Sequence, residues 1–355
     1  MSELSICVVI AAFNAEATIA RAVRSALESR EVHQVIVVDD ASNDATADAA
    51  RAADDRSGRL LVLTLPANKG PAAARNRALD ACTCTHFCVL DADDYLLPGR
   101  MERLLASGRG EWDMLADDLI ILPEELAGLS FTLMRNATRD APRIITLETF
   151  VFSNTRKPGR PRGELGFLKP LISIAFLNRH NLRYDEGLKL GEDYALYMRA
   201  LIAGARFQLV SACGYIAIEG RNSLSSRHTA EDLRRYYEFE DQLLATESRL
   251  PADARAAIKR HRDSVWKESV FREALDVRHR SGLGPGIAVL MRSPSVLPHV
   301  IAATAKGKLR MAWQGFNRSL EERQRRLRFL VGFPGTQFQD IRSAVVPQQR
   351  VCQAD

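Results

Sequence analysis

Asp91-Ala92-Asp93-Asp94 sets three carboxylates within four residues, directly after the apolar run Phe87-Cys88-Val89-Leu90. Carboxylates two apart on a turn can approach one hard cation, and Mg²⁺ or Mn²⁺ is usually held by one or two carboxylates together with phosphate oxygens. A solvated acidic turn or a Ca²⁺ loop would carry the same triplet, so the residues leave these readings open. Just upstream, Cys82, Cys84, His86 and Cys88 have a spacing that suggests a metal. A strand through Phe87–Leu90 sends alternate side chains to opposite faces, and no second cluster completes a tetrahedral site. Small, apolar, unpaired cysteines account better for this stretch.

The elements that must position the acids read as alternating strand and helix. Leu4–Ala12 is a continuous apolar run of the kind a strand buried on both faces requires. Asn14 is placed to cap a helix with Ile19, Ala22, Val23, Ala26 and Leu27 at helical spacing. Val35–Val38 predicts a second strand ending in Asp39-Asp40, Ser42–Ala53 a helix, and Leu60–Leu65 a third strand. Pro71 opens a helix running to about Ala81, and His86–Leu90 is the fourth strand. This alternation implies a parallel sheet flanked by helices, with its ligand crevice beyond the carboxyl ends of the strands. Asn14, Asp39-Asp40 and the Asp91 triplet all fall on that edge. Like charges gathered there cost stability unless something positive joins them, which points to a metal.

Further on, Trp112–Leu122 predicts a strand interrupted at Asp117-Asp118, 157–166 a loop, and Leu171–Leu177 and Phe207–Ile218 further strands. Glu192–Ala203 predicts a helix stopped by Gly204. After about His228 the pattern becomes helical and Arg-rich, which divides the chain into residues 1–227 and a helical region, 228–355. The composition, 46% hydrophobic and 26% charged over 355 residues, is that of a globular protein with a sizeable core. No uncharged apolar run reaches membrane-spanning length, and Glu3, Asn14 and Glu16 speak against a signal peptide, so a cytoplasmic location is expected. Net charge is +5, but Ile301–Arg350 carries ten Lys and Arg against three acids. That excess is either a solvated helical face or a patch for anionic lipid or a phosphorylated acceptor; no motif supports nucleic acid.

Five stretches together resemble family 2 glycosyltransferases of the GT-A fold. They are Val8–Asn14, Val37–Thr46, Asn68–Asn76, Leu90–Asp94 and Gly191–Asp193, in family order and at family spacing. The resemblance implies a mostly parallel central sheet flanked by helices with a C-terminal helical extension, and an inverting transferase that uses a nucleotide sugar and Mg²⁺ or Mn²⁺. It puts Asp40 on the base or ribose, with Ala11 and Phe13 lining the base pocket and Asn14 and Arg75 near the nucleotide. It makes Asp93 the first metal ligand, with Asp91 and Asp94 sharing metal, ribose or sugar, and His228 a further ligand or a lone surface histidine. Asp193 becomes the general base toward the acceptor hydroxyl; helix-dipole stabilisation is the alternative reason for an acid there. Arg221–Ser225 loosely matches a segment that follows the last strand in relatives, and Lys169 falls near the acceptor wall. The Q-x-x-R-W element and membrane spans of processive members are absent, which implies one sugar per encounter.

Within the family, Asp48–Asp55, Gly70–Ala78 and Asp91–Asp94 are similar to glucosyltransferases of succinoglycan-type exopolysaccharide synthesis. That likeness implies UDP-glucose as donor, a β-linkage, and a lipid-diphosphate-linked oligosaccharide acceptor, with peripheral contact at the inner membrane face. Another nucleotide sugar or acceptor is the alternative. A sugar-phosphate nucleotidylyltransferase would need a Gly-rich loop where Ala11-Ala12-Phe13-Asn14 stands, and a non-catalytic scaffold would be expected to have lost an acidic site.

Overall fold

The computed structural model describes residues 4–124, 141–155, 164–220, 228–248, 250–302, 304–305 and 328–332. Its first half alternates as the sequence predicts: β1 (Ile6–Ala12), α1 (Ile19–Leu27), β2 (Val32–Asp39), α2 (Thr46–Ala52), β3 (Leu60–Thr64), α3 (Pro71–Ala81) and β4 (His86–Val89). β1 pairs in parallel with both β2 and β4, and β2 with β3, so β1 is central and its apolar run is buried except at Ala11. There follow β5 (Tyr95–Leu96), α4 (Arg100–Ser107), β6 (Met114–Asp117), β7 (Ile120–Pro123), β8 (Arg143–Ile145), α5 (Leu147–Asn154), β9 (Leu171–Ser173), α6 (Ile174–Arg179), α7 (Glu192–Ile202), β10 (Phe207–Val210) and β11 (Tyr215–Glu219).

The large sheet has the order β3-β2-β1-β4-β9-β6-β10-β8, and the small one is built on β7, β11 and β5. Only β8 and β9 run against the other strands of the large sheet. The predicted interruption at Asp117-Asp118 is where the chain leaves the large sheet for the small one, from β6 to β7. β10 and β11 make the same passage side by side, bending at Gly214, whose φ is +119°. Arg100 fastens this junction. Its guanidinium holds both oxygens of Asp117, at 2.5 and 3.2 Å, and neither side chain is exposed at all. Asp117 also accepts from the Cys213 N–H at 3.1 Å. The single expected strand Phe207–Ile218 is thus two strands in two sheets.

Two other expectations are corrected. Asn14 does not cap α1; Thr18 stands at that position. Asn14 instead takes a left-handed conformation (φ +50°) and its side chain accepts from the Asn43 N–H at 2.9 Å, tying the loop after β1 to the loop after β2. Leu171–Leu177 is a strand only to Ser173, whose hydroxyl accepts from the Phe176 N–H and starts α6. An apolar run of seven does not distinguish strand from helix by periodicity, and the capping serine decides it. The predicted loop at 157–166 and the Arg221–Ser225 segment lie mostly or wholly outside the described residues.

The C-terminal region supplies α8 (Ala230–Thr246), α9 (Ala252–Ser281) and α10 (Leu283–Met291). Thr229 and Asp232 form a reciprocal capping box at the start of α8. The region is not helical throughout: β12 (Arg328–Phe329) returns to pair with β7, and Asp118 accepts from the Val331 and Gly332 N–H groups at 2.9 and 2.7 Å.

Candidate donor and transfer site

The carboxyl ends of β1, β2 and β4 bring the acidic motifs to one edge. The β2 end is self-bonded first. Asp39 accepts from the Ser42 N–H, and both oxygens of Asp40 accept backbone N–H groups, from Lys69 at 2.8 Å and Gly70 at 2.7 Å. Asp40 therefore fixes the turn into α3, where Gly70 takes φ +90° and Pro71 begins the helix. Each of its oxygens keeps a second lone pair. Ala11 is half-buried on β1, while Phe13 and Asn14 are exposed just past the strand end.

One turn into α3, Arg75 is buried and reaches three acids. Its Nη1 lies 2.8 Å from Glu192 and 3.1 Å from Asp193, and its Nη2 3.1 Å from Asp91. Lys169, from the chain just before β9, meets the other oxygens: Asp193 at 2.8 Å and Asp91 at 2.9 Å. Arg75, Asp91, Lys169 and Asp193 thus close a ring of alternating charge, with Glu192 as an extra acid. Burial opposes ionisation of Asp91, but Lys169 and Arg75 outweigh it and hold the carboxyl below the usual range. The same acids keep Lys169 charged against its own burial. Burial pushes Glu192 up, against the pull of Arg75. With three acids and two cations the cluster has a formal charge of −1, and Asp91 opens it to solvent at 36% exposure.

The three acids of the triplet have separate fates. Asp93 is exposed and enters no ion pair among the described residues; partial desolvation and then the charge of Asp91 raise its pKa. Arg21 steadies the turn by donating to the Asp93 carbonyl at 2.5 Å while stacking over Tyr95. Asp94 is buried and turned toward the small sheet, where it accepts from the Tyr215 hydroxyl and the Ile218 N–H, each at 2.8 Å. Burial, with Asp91 and Asp93 nearby, lifts its pKa well above the carboxylate range. His228 is half-buried just before α8 and already has a partner of its own.

These donors suit a hard cation. Among the described residues no group of three or more His, Cys, Asp or Glu is assembled for a metal. Mg²⁺ and Mn²⁺ do not require one, because phosphate oxygens complete their shell. Asp93, uncommitted and destabilised by Asp91, is the carboxylate such an ion would relieve. Two buried donors beside the ring also lack a partner, Arg75 Nε and the Tyr184 hydroxyl. Orphaned buried donors cost about 1–3 kcal/mol each, and a bound ligand is one way to satisfy them.

Sequence reasoning missed the bracing of Asp193. α7 begins at Glu192 after Gly191, whose φ is +75° and whose added Cβ would stand 2.7 Å from the Tyr236 ring of α8. The next residue, Tyr194, donates to Glu240 of α8 at 2.7 Å, and Glu240 in turn meets His261 of α9 at 2.8 Å. Glu240 and His261 are both buried. The C-terminal helices therefore set the start of the helix that carries Asp193. The only sequence signal was the helical spacing of Tyr194; the acceptor of its hydroxyl, Glu240, lies 46 residues away.

Comparison with known proteins bears on the family and the fold. A family model, Glycosyl transferase family 2, matches residues 7–112. Succinoglycan biosynthesis protein ExoU of Rhizobium meliloti (strain 1021) is 43% identical over 303 residues, covering 85% of this chain and 87% of that protein. Succinoglycan biosynthesis protein ExoO of the same organism is 36% identical over 210 residues, 59% of each chain. Among solved structures, the mannosyltransferase PcManGT from Pyrobaculum calidifontis, in complex with GDP-Man and Mn²⁺, has a TM-score of 0.53 at 15% identity and covers 86% of this chain and 80% of that one. TarS 1–349 of S. aureus in complex with UDP-GlcNAc has a TM-score of 0.50 at 18% identity, covering 78% and 74%. The two structures share the fold, and the ExoU similarity extends past the family model through the Asp193 helix into the C-terminal helices. The chain has the GT-A fold, is a glycosyltransferase, and belongs to glycosyl transferase family 2.

Proposed function

We propose that this transferase moves one glucose per encounter from UDP-glucose, with inversion and a β-linkage, onto a lipid-diphosphate-linked oligosaccharide of a succinoglycan-like exopolysaccharide. The 43% identity to ExoU supports the pathway. The observation that carries the chemistry is the ring of Arg75, Asp91, Lys169 and Asp193 at the carboxyl edge of the sheet. Residues 1–227 form the transferase domain in this reading, and 228–355 the helical region that braces it. The work takes place at the cytoplasmic face of the inner membrane.

Each residue has a task. Ala11 and Phe13 flank the base, and Asp40 meets the base or ribose with the lone pairs its backbone contacts leave open. Asn14 keeps the β1 loop in register with the nucleotide. Asp93, with Asp91 beside it, would hold Mg²⁺ or Mn²⁺; when bound, the ion neutralises charge developing on the departing diphosphate. Asp94 shapes that turn from behind through Tyr215, and His228 is the further candidate ligand. Asp193 takes the proton of the acceptor hydroxyl as that oxygen attacks C1 opposite the leaving group. In the resting enzyme both its oxygens are occupied by Arg75 and Lys169. A donor diphosphate offers Arg75 a competing anion, which frees a lone pair of Asp193 where it is needed.

Calorimetric titration of UDP-glucose and UDP, with Mn²⁺ and then with EDTA, tests the reading. Metal-dependent binding of both ligands is expected. Binding of a different nucleotide sugar would discard UDP-glucose, and silence with every nucleotide sugar would overturn the donor site.

A further inference from the structure

Outside the donor site, α10 has the least ordinary surface among the described residues. Leu283, Ile287 and Met291 recur every fourth residue and so share one face of the helix. They are 64, 48 and 60% exposed, and Ile301 beyond them is 68% exposed. The opposite face is clamped down. Gly286 lies so close to α9 that an added Cβ would stand 2.9 Å from the Ala274 carbonyl, and Val289 is buried against the same small core as Val270, Ala274 and Val296. The outward direction of the apolar stripe is therefore fixed by packing.

Along the chain from α10 to Leu320 charge has one sign, with Glu273 and Asp276 of α9 the acids just before it. From Val277 to Leu320 the sequence contains no Asp or Glu, and it contains seven Arg and Lys. Arg278, Arg280 and Arg292 flank α10, are exposed, and enter no ion pair among the described residues. A second copy of the chain is a poor occupant, because a self-complementary contact would set these arginines against their own copies. A nucleic acid would use the arginines and leave the stripe in water. An anionic bilayer surface takes both: apolar side chains enter the acyl boundary while the arginines meet lipid phosphates, the two signals that peripheral anchoring requires.

We propose that α10 is a membrane-docking helix, inserting Leu283, Ile287 and Met291 into the surface of a bilayer rich in anionic phospholipid, with Arg278, Arg280 and Arg292 on the headgroups. α9 links this face to the site. His261, which meets Glu240 in the brace of the Asp193 helix, lies 13 to 17 residues along α9 from the positions that Gly286 touches, roughly 20–25 Å at 1.5 Å per residue. Docking through α10 would hold the catalytic edge at a set height above the membrane. The inference stands apart from the identity of donor and acceptor.

The test is co-sedimentation of the full chain with phosphatidylcholine vesicles containing or lacking phosphatidylglycerol. Binding to the anionic vesicles alone is expected. It should weaken on the order of tenfold for Ile287→Ser with Met291→Ser, and roughly a hundredfold for Arg278, Arg280 and Arg292 all changed to Gln. Because these side chains are exposed, both variants should melt and elute with the wild type. Equal vesicle binding by wild type and variants, or none by the wild type, overturns the proposal. So does a wild-type dimer on sedimentation velocity that Ile287→Ser with Met291→Ser converts to monomer.

Discussion

Among the described residues, two buried networks pair arginine with aspartate, and their difference separates packing from chemistry. At the junction of the sheets, Arg100 and Asp117 are a matched pair with no exposure, and Asp117 is filled further by the Cys213 N–H. At the sheet edge, Arg75 and Lys169 face three acids, Asp91 reaches solvent, and Arg75 Nε and the Tyr184 hydroxyl have no partner. A closed, neutral pair has nothing left to offer a substrate. An unbalanced, partly open ring with orphaned donors does, and its imbalance is what a bound diphosphate and cation could redistribute.

The sharpest way to break this comparison is at Asp193. Asp193→Asn should lower transfer by roughly 10³- to 10⁴-fold, at the upper end of general-base effects, while leaving UDP-glucose affinity nearly unchanged. A transfer assay beside a calorimetric titration checks both halves. Lost donor binding in this variant would make Asp193 part of the donor pocket instead of the base. Arg100→Met should do the reverse. It strands a fully buried Asp117, so denaturant unfolding should show a loss of about 3–5 kcal/mol, whereas any folded fraction should turn over normally.

Lys169 tests the middle ground. Lys169→Met leaves Arg75 to hold Asp193, so the effect should be smaller, roughly a hundredfold in kcat with donor affinity within a few-fold. A loss confined to stability, with kcat unchanged, would move Lys169 into the same class as Arg100.

Much of the sheet-edge network was legible in the sequence, because strand ends in a parallel sheet collect at one edge and the acids sit at those ends. Asp40, Arg75, Asp91 and Asp193 stood out on that ground together with their motifs, although which acid faces what did not. Asp94 differs from Asp93 by one position, and only its contacts with Tyr215 and Ile218, 121 and 124 residues later, turn it inward. The junction pair left no local trace: Arg100 precedes Asp117 by 17 residues and reads as an ordinary helix-start arginine. The brace of Glu240 and His261 was equally hidden, since each looks like a polar residue on a solvated helix until α8 and α9 pack on Tyr194. Misread elements have a similar origin. Leu171–Leu177 and Phe207–Ile218 are apolar runs whose breaks depend on one serine and one positive-φ glycine.

The smallest expected effect lies beside the closed pair and depends on pH. Burial, reinforced by the charge of Asp117, pushes Asp118 up to about 6, even though its carboxylate accepts the Val331 and Gly332 N–H groups. The unfolded chain has an ordinary aspartate near 3.9. Between those values the folded state binds more protons than the unfolded one, so this residue's contribution to stability falls as pH rises through the window. Asp118→Asn removes the titration but also removes one acceptor, which costs about 1–2 kcal/mol at any pH. The variant should therefore be clearly less stable than the wild type at pH 4. It should recover about 2 kcal/mol relative to the wild type by pH 7, read from urea unfolding at both values. A deficit that does not change with pH would mean that Asp118 titrates in the folded protein as it does in the unfolded chain, and that burial does not raise it where it receives the return of β12 to the small sheet.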